Sequence, residues 1–454
     1  MTEHYITPNR PGCAGRSDSE SIQNAIAAAK SSGLDTVVIP RRNERTGEML
    51  WNISETILLP SGITIIIDNA HLRLADGVFC NMFRNENMYN VAGLSAEGEQ
   101  HDIRILGRGN ALLDGGNHNG LTERTSMKEG YPHIYHNSFI LLHNVRDFEI
   151  SGMTMTEPRW WCVNLIYCSY GRVGDIKVFA RDNVPNQDGI DLRCGCHNIV
   201  VEDITGQGGD DLIALTGFQG TETKHAVAGR CIDIHSVVIR SIRGTSVTKA
   251  IVALRNHDGV RLHDILIDGI VDSAAGEPDN RPYAALRIGQ NHYVHTRPSA
   301  LGETFNINAQ NIHSSRNTAV LLCSTLLNSS LRNIYSSGSA VCAVSTNTGA
   351  QIKNLLVDGV FYTADRMENT ACAADRCGSH EAVFNFEHHE DTPALCGNNR
   401  SENVVISNVF ASNLGSRPLL YASGRADVTI IDNAESARLP VLTDGGADVR
   451  VTRI

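Results

Sequence analysis

Short β-rich runs recur along this chain at a spacing that few folds can accommodate. RDFEISGM at 146–153, RVGDIKV at 172–178 and HNIVVEDI at 197–204 share one pattern, and it returns at 258–265, 351–357 and 402–409. Phe148, Val173 and Ile199 fall about 25 residues apart, and Val404 and Val428 about 24. A period in the twenties, made of strands with no helix between them, is the signature of a solenoid. One such coil cannot bury its apolar face alone. The expected fold is therefore all-β, one domain over 1–454 in which short strands stack in parallel. Ile, Val and Leu would point inward and Asn or Asp would turn the corners. A β-sandwich or a propeller would need tighter hairpin signals than these.

One convincing amphipathic helix precedes the repeat, over 17–32. Ser17 or Ser19 can cap it, Ile22, Ala25, Ile26 and Ala29 share a face, and Gly33 stops it. It is expected to cover the open edge of the first coil. Two stretches interrupt the repeat, 276–304 and 364–403, and both are expected to be long loops.

The formal net charge of −11 argues against nucleic acid and against acidic membranes as partners. No run of about eighteen apolar residues exists to span a bilayer. The polar amino terminus has no basic and apolar leader segment, so the expected location is the cytoplasm, or outside the cell if a leader was removed. Twelve cysteines in 454 residues are too sparse for a disulfide scaffold and are expected to be mostly buried free thiols.

The chemistry concentrates between 185 and 217. Asp188 and Asp191 precede the strand-like 198–204, and Asp210 and Asp211 follow it, directly behind Gly208 and Gly209. Asp188 and Asp210 are 22 residues apart, close to one coil. Stacked parallel strands lie about 4.7–4.9 Å apart, so Asp188 should sit beside Asp210 or Asp211. Adjacent residues on a regular strand point to opposite faces, so both aspartates can share one cleft only at a bend, which the two glycines permit. Like charges raise one another's pKa, which divides such a cluster into an acid and a base, as glycosidic hydrolysis requires. Asx-turns or a calcium site would use the same residue types. Asp191 is expected to hold a turn rather than react.

The text around these residues resembles the polygalacturonase-like glycoside hydrolases of family 28. NQDGID at 186–191 stands where the family usually has N-T-D-G-I-D, and GDDLIAL at 209–215 resembles its G-D-D-x-I-A. EPRWWCVNLIY at 157–167, NALLDGG at 110–116 and 19–40 fit the approach, an earlier turn and the opening helix and strand, so the likeness covers roughly 17–290. The resemblance implies a right-handed parallel β-helix and hydrolysis with inversion. It makes Asp210 the general acid, with Asp188 and Asp211 holding and deprotonating the attacking water. Inversion asks for acid and base about 6.5–9.5 Å apart. Two departures stand out. Lys249 takes the place of the histidine in the family's G-H-G, and in YAALRIG at 283–289 Arg287 is kept while Gly289 replaces the lysine of R-I-K. Losing one cation from a carboxylate clamp weakens the case for polygalacturonate, and another sugar is expected.

Carbohydrate is the expected partner, with no cofactor. Lys249, Arg287, Arg255, His257, His292, Trp160 and Asn186 are the candidate substrate-binding residues; Trp160 or Trp161 could offer a face to a sugar ring. His388, His389 and Glu390 with Cys372, Cys377 and Cys396 match no zinc-ligand spacing, so no metal site is expected. Two other functions fit the same fold. A lyase or transglycosylase would use Lys249 or Arg287, and a non-catalytic β-helix would only bind carbohydrate.

Overall fold

A computed structural model describes residues 4–88, 91–121, 137–181, 183–218, 226–273, 284–289, 297–315, 318–337, 342–347, 350–363, 382–387, 400–414, 417–432 and 440–453. The chain forms two compact units, Met1–Leu212 with Lys224–Ile232, and Ile213–Thr223 with Asp233–Ile454. Each is a run of right-handed parallel β-helix coils. In the first, the short strands Ile140–His143, Val163–Ile166 and Ile190–Arg193 pair in parallel. So do the long strands Gln100–Arg108, Val145–Ser151, Ser169–Phe179 and His197–Gly208. The second repeats the scheme, with Ile213–Phe218, Ala250–His257, Ala284–Ile288 and Thr318–Leu322 as successive short strands.

Coil length varies, which shifts the repeat read from the sequence. Val404 and Val428 are register partners. Phe148, however, pairs with Gly171 rather than Val173, and Gly171 pairs with Ile199. The reason is steric: a Cβ on Gly171 would lie 2.1 Å from the Phe148 ring, which fills that space. The two stretches expected to be loops each carry a strand, Ala284–Ile288 and Phe384–Phe386, too short for a periodic signal.

Corners use left-handed Asn and Asp, the non-glycine residues that tolerate that backbone best. Asn328, Asn354 and Asn403 all have φ near +50°. Their side chains form a ladder, Asn354 Nδ2 to Asn328 Oδ1 at 2.8 Å and Asn403 Nδ2 to Asn354 Oδ1 at 2.9 Å.

The amino-terminal helix is Asp18–Ser31, capped by Ser17, whose side chain accepts from the Glu20 amide. Its apolar face is buried and its polar residues finish the strand edge beside it. The Gln23 amide group accepts from Leu58 N and donates to Leu58 O, acting as one more rung of the sheet. Ser19 Oγ accepts from Ser54 N and Glu55 N. The edge is thus covered by hydrogen bonds as well as by apolar contact. Among the described residues no helix is long and apolar enough to cross a membrane.

The faces of the two strand sets differ. The long strands alternate buried and exposed residues, whereas Ile140–His143, Val163–Ile166 and Ile190–Arg193 are buried at every position. Both faces of the short ladder are covered, so any polar residue it carries is held in a dry setting. The cysteines described are free, seven of them buried.

Candidate active site

The short ladder of the first unit delivers the acidic cluster. Gly189 N donates to Asp211 O at 3.1 Å and Ile190 N to Leu212 O at 3.0 Å, which sets Asp188 and Asp211 side by side on adjacent coils. The strand His197–Gly208 ends at Gly208, and the bend after it brings Asp210 to the same place. One carboxylate oxygen from each of Asp188, Asp210 and Asp211 lies within 4.8 Å of the others. Asp188 and Asp211 are buried and Asp210 is half-buried. Gly189 belongs to this close approach, since a Cβ there would fall 2.3 Å from Leu212 O.

Asp191 is placed differently from the sequence expectation. It lies within the strand Ile190–Arg193, fully buried, not in a turn. Its register partner is Asn164, also fully buried, whose amide nitrogen and oxygen have no partner among the described residues. Regular pairing on both sides of the strand leaves Asp191 no turn to hold. The turn belongs to Asn186, whose φ of +60° starts the approach to the cluster. Cys162 N donates to Asp188 O from the preceding coil, and its thiol is pushed well up, first by burial and then by the negative charges of Asp188 and Asp191.

Trp160 is 1% exposed, and its ring centroid is 5.7 Å from that of Trp161. Trp161 carries the Arg193 guanidinium over its ring, 4.7 Å from the centroid. Neither indole therefore presents an open face. Sequence reasoning passed over Arg193, yet it sits two residues beyond Asp191 and so on the same face of the strand. Arg159 was also missed. It is fully buried and donates to the carbonyls of Gly115, Leu74, Ala75 and Val78.

The remaining candidates lie in the second unit. Lys249 is half-buried on a bend, its amide donating to Ser246 Oγ at 2.8 Å. Arg255 donates to Thr216 Oγ1 at 3.2 Å and lies over Phe218, with His257 edge-on to the same ring, centroids 4.6 Å apart. Arg287 is buried on the neighbouring strand, opposite Ala253. It acts on Cys323, whose thiol burial pushes up to about 12 although the guanidinium pulls the other way. His292 lies outside the described residues, as do His388, His389, Glu390, Cys372, Cys377 and Cys396.

Gly289 explains the missing lysine. Gly289 N donates to Leu254 O and Cys323 N to Ile288 O, so the glycine lies beside Arg255 on one side and Cys323 on the other. Its φ is +91°, and a Cβ would meet Ser324 Cβ at 2.1 Å and Ser324 N at 2.6 Å. No side chain fits there. Gly289→Lys is expected to lose about 2–4 kcal/mol in chemical denaturation, from left-handed strain plus overpacking. A stable Gly289→Lys protein would show that the position is open after all.

By donor type, the three carboxylates also suit a hard cation such as calcium, which draws about six to eight oxygen ligands. Three aspartates alone supply only part of that shell.

Residues 87–227, which contain the whole acidic cluster, match the family model of the Glycosyl hydrolases family 28. An exopolygalacturonase of Zea mays is 24% identical over 237 residues, 50% of this chain and 52% of that protein. A probable polygalacturonase of Arabidopsis thaliana is 28% identical over 153 residues, 34% of this chain and 28% of that protein. The matches thus span about half or less of these relatives' own length. Among solved structures, a mutant tailspike protein of E. coli bacteriophage HK620 in complex with a hexasaccharide superposes with a TM-score of 0.51 at 12% identity. That match covers 99% of this chain and 80% of the tailspike, and it shows the fold alone.

Proposed function

With the chain taken as a divergent member of the family 28 glycosyl hydrolases, we propose that it hydrolyses a glycosidic bond in a pectin-related oligo- or polysaccharide. The observation that carries this reading is the meeting of Asp188, Asp210 and Asp211 within 4.8 Å, inside the region the family matches. Asp210, the most accessible of the three, gives its proton to the leaving oxygen as the bond to the anomeric carbon breaks. Asp188 and Asp211 hold a water and take its proton as its oxygen bonds to that carbon. One water is consumed, and the carboxyls return to their starting states by proton exchange.

A second reading follows from the spacing. One oxygen from each aspartate lies within 4.8 Å of the others, an arrangement that also admits the roughly 5–5.5 Å carboxyl separation of a retaining pair. In that case one aspartate attacks the anomeric carbon, and water then releases the sugar with retained configuration.

The second unit has by itself a place suited to a carboxylate. Arg255 and Arg287 lie on adjacent strands with side chains on one face, since Arg287 is opposite Ala253 and Arg255 is two residues further on. The position lost to lysine at 289 has Arg255 as its register neighbour, so a second guanidinium stands where the resemblance lacked a cation. Two guanidiniums suit a carboxylate better than a neutral hydroxyl.

The test is turnover of a panel of acidic and neutral oligosaccharides, with the first-formed anomer read by proton NMR. Inverted product from acidic oligomers is expected. Retained product selects the double displacement, and preference for neutral sugars overturns the role of the arginines. An unsaturated product absorbing in the ultraviolet would instead assign a lyase working through Lys249 or Arg287. Binding without turnover across the panel would make the protein a carbohydrate-binding β-helix.

A further inference from the structure

Gln187 lies at the edge of the acidic cluster and bonds to both neighbouring coils. It is fully buried, immediately before Asp188. Its side-chain Nε2 donates to Pro158 O at 2.6 Å, on the preceding coil. Its main-chain oxygen accepts from Gly209 N at 2.9 Å, on the following coil, one residue before Asp210. The turns that carry Asp188 and Asp210 are therefore both tied to one residue. On the far side of Pro158 the same segment is anchored by Arg159 to the carbonyls of Gly115, Leu74 and Ala75.

The glutamine is an odd choice if its task is only to fold the turn. Its Oε1 is buried and has no partner among the described residues, a desolvation penalty that an apolar side chain of the same length would avoid. The family text that this stretch resembles has threonine here, a side chain two bonds shorter. What the longer amide adds is a second tie on the turn before Asp188, toward the preceding coil, while the main chain alone makes the tie toward Gly209. Carboxyl groups in contact titrate as a unit, and how strongly they couple depends steeply on their separation.

We propose that Gln187 is a positioning residue whose side chain, by binding Pro158 O, holds the turn that carries Asp188 and so fixes where its carboxyl stands against those of Asp210 and Asp211. It touches no reacting atom. The reading of the cluster as acid and base underlies the consequence for rate, whereas the consequence for titration stands without it.

The experiment compares the natural protein with Gln187→Met, which keeps the length and removes the donor, and with Gln187→Thr. Carbon-13 NMR of the labelled aspartate carboxyls across pH reads the cluster directly, and hydrolysis of an acidic oligosaccharide gives kcat, KM and their pH profiles. The expected result for both variants is a shift of the cluster's apparent pKa values by about half a unit or more. The pH optimum should move with it, and kcat should fall about tenfold or more with KM little changed, as small misplacements of reacting groups produce. Unchanged carboxyl titration in both variants, with only a lower melting temperature, would reduce Gln187 to a structural residue and overturn the proposal. If the natural protein hydrolyses nothing, the glycosidase reading fails by itself, and the carboxyl titration still decides the role of Gln187.

Discussion

Asp210→Asn is expected to reduce turnover by about a thousandfold or more while leaving the fold and its stability in place. The general acid contributes about 10²–10⁴ in rate, and an amide cannot give up a proton to a leaving oxygen. The substitution is isosteric and removes no packing, because Asp210 is half-buried at a bend rather than part of a strand. It also removes one of three neighbouring carboxyls, which relieves like-charge repulsion, so the melting temperature should hold or rise. Reducing-sugar release on the oligosaccharide panel, with thermal unfolding as the control, makes the comparison. Substantial activity in a folded Asp210→Asn protein would remove Asp210 from the acid role and leave the cluster a turn or a cation site.

The largest effect on stability is expected at Arg159. Its guanidinium is fully buried and faces backbone carbonyls, at 2.7 Å to Gly115 O, 2.9 Å to Ala75 O and 3.2 Å to Leu74 O, with Val78 O as a fourth acceptor. Burial draws its pKa down to about 10, which still leaves it charged near neutrality. Arg159→Met would fill much of the same volume and strip several buried carbonyls of their donor. The expected loss is about 3–5 kcal/mol in denaturant unfolding, the range for breaking a buried charged network. Arg159→Lys should recover only part of it, because one ammonium cannot reproduce the planar fork. A loss below about 1 kcal/mol for Arg159→Met would mean that water takes over the carbonyls and that the segment is not dry.

The two predictions meet in one place. Arg159 follows Pro158, whose carbonyl receives Gln187, and Gln187 precedes Asp188. A chain of buried hydrogen bonds thus runs from the loop around Leu74–Val78 to the acidic turn. Losses at Arg159 should therefore appear in the pH profile as well as in stability.

Much of this was legible from spacing. The one-coil separation of Asp188 from Asp210 and Asp211 required only the known distance between stacked parallel strands. The two glycines before Asp210 announced the bend. The capped helix with its apolar face was readable because its hydrogen bonds are local. Other features could not be read. Asp191 looked like a turn residue because Asp commonly is one, and only its pairing with Asn164 shows it inside a strand. Trp160 looked available to a sugar, but it is buried beside Trp161, whose own ring is covered by Arg193 from another coil. Gly289 looked like a lost cation, and the reason for the loss lies 35 residues away in Ser324.

The sequence by itself determined the parallel β-helix, its capping helix and the meeting of three aspartates. Each of these follows from periodicity, from local hydrogen bonding or from a separation of one coil. The tertiary structure alone decided which carboxyls are dry, which aromatic faces are closed, and why position 289 must lack a side chain. Those properties are set by atoms that arrive from neighbouring coils whose lengths vary. Burial and close approach depend on the register between neighbouring coils, which no local stretch of sequence contains.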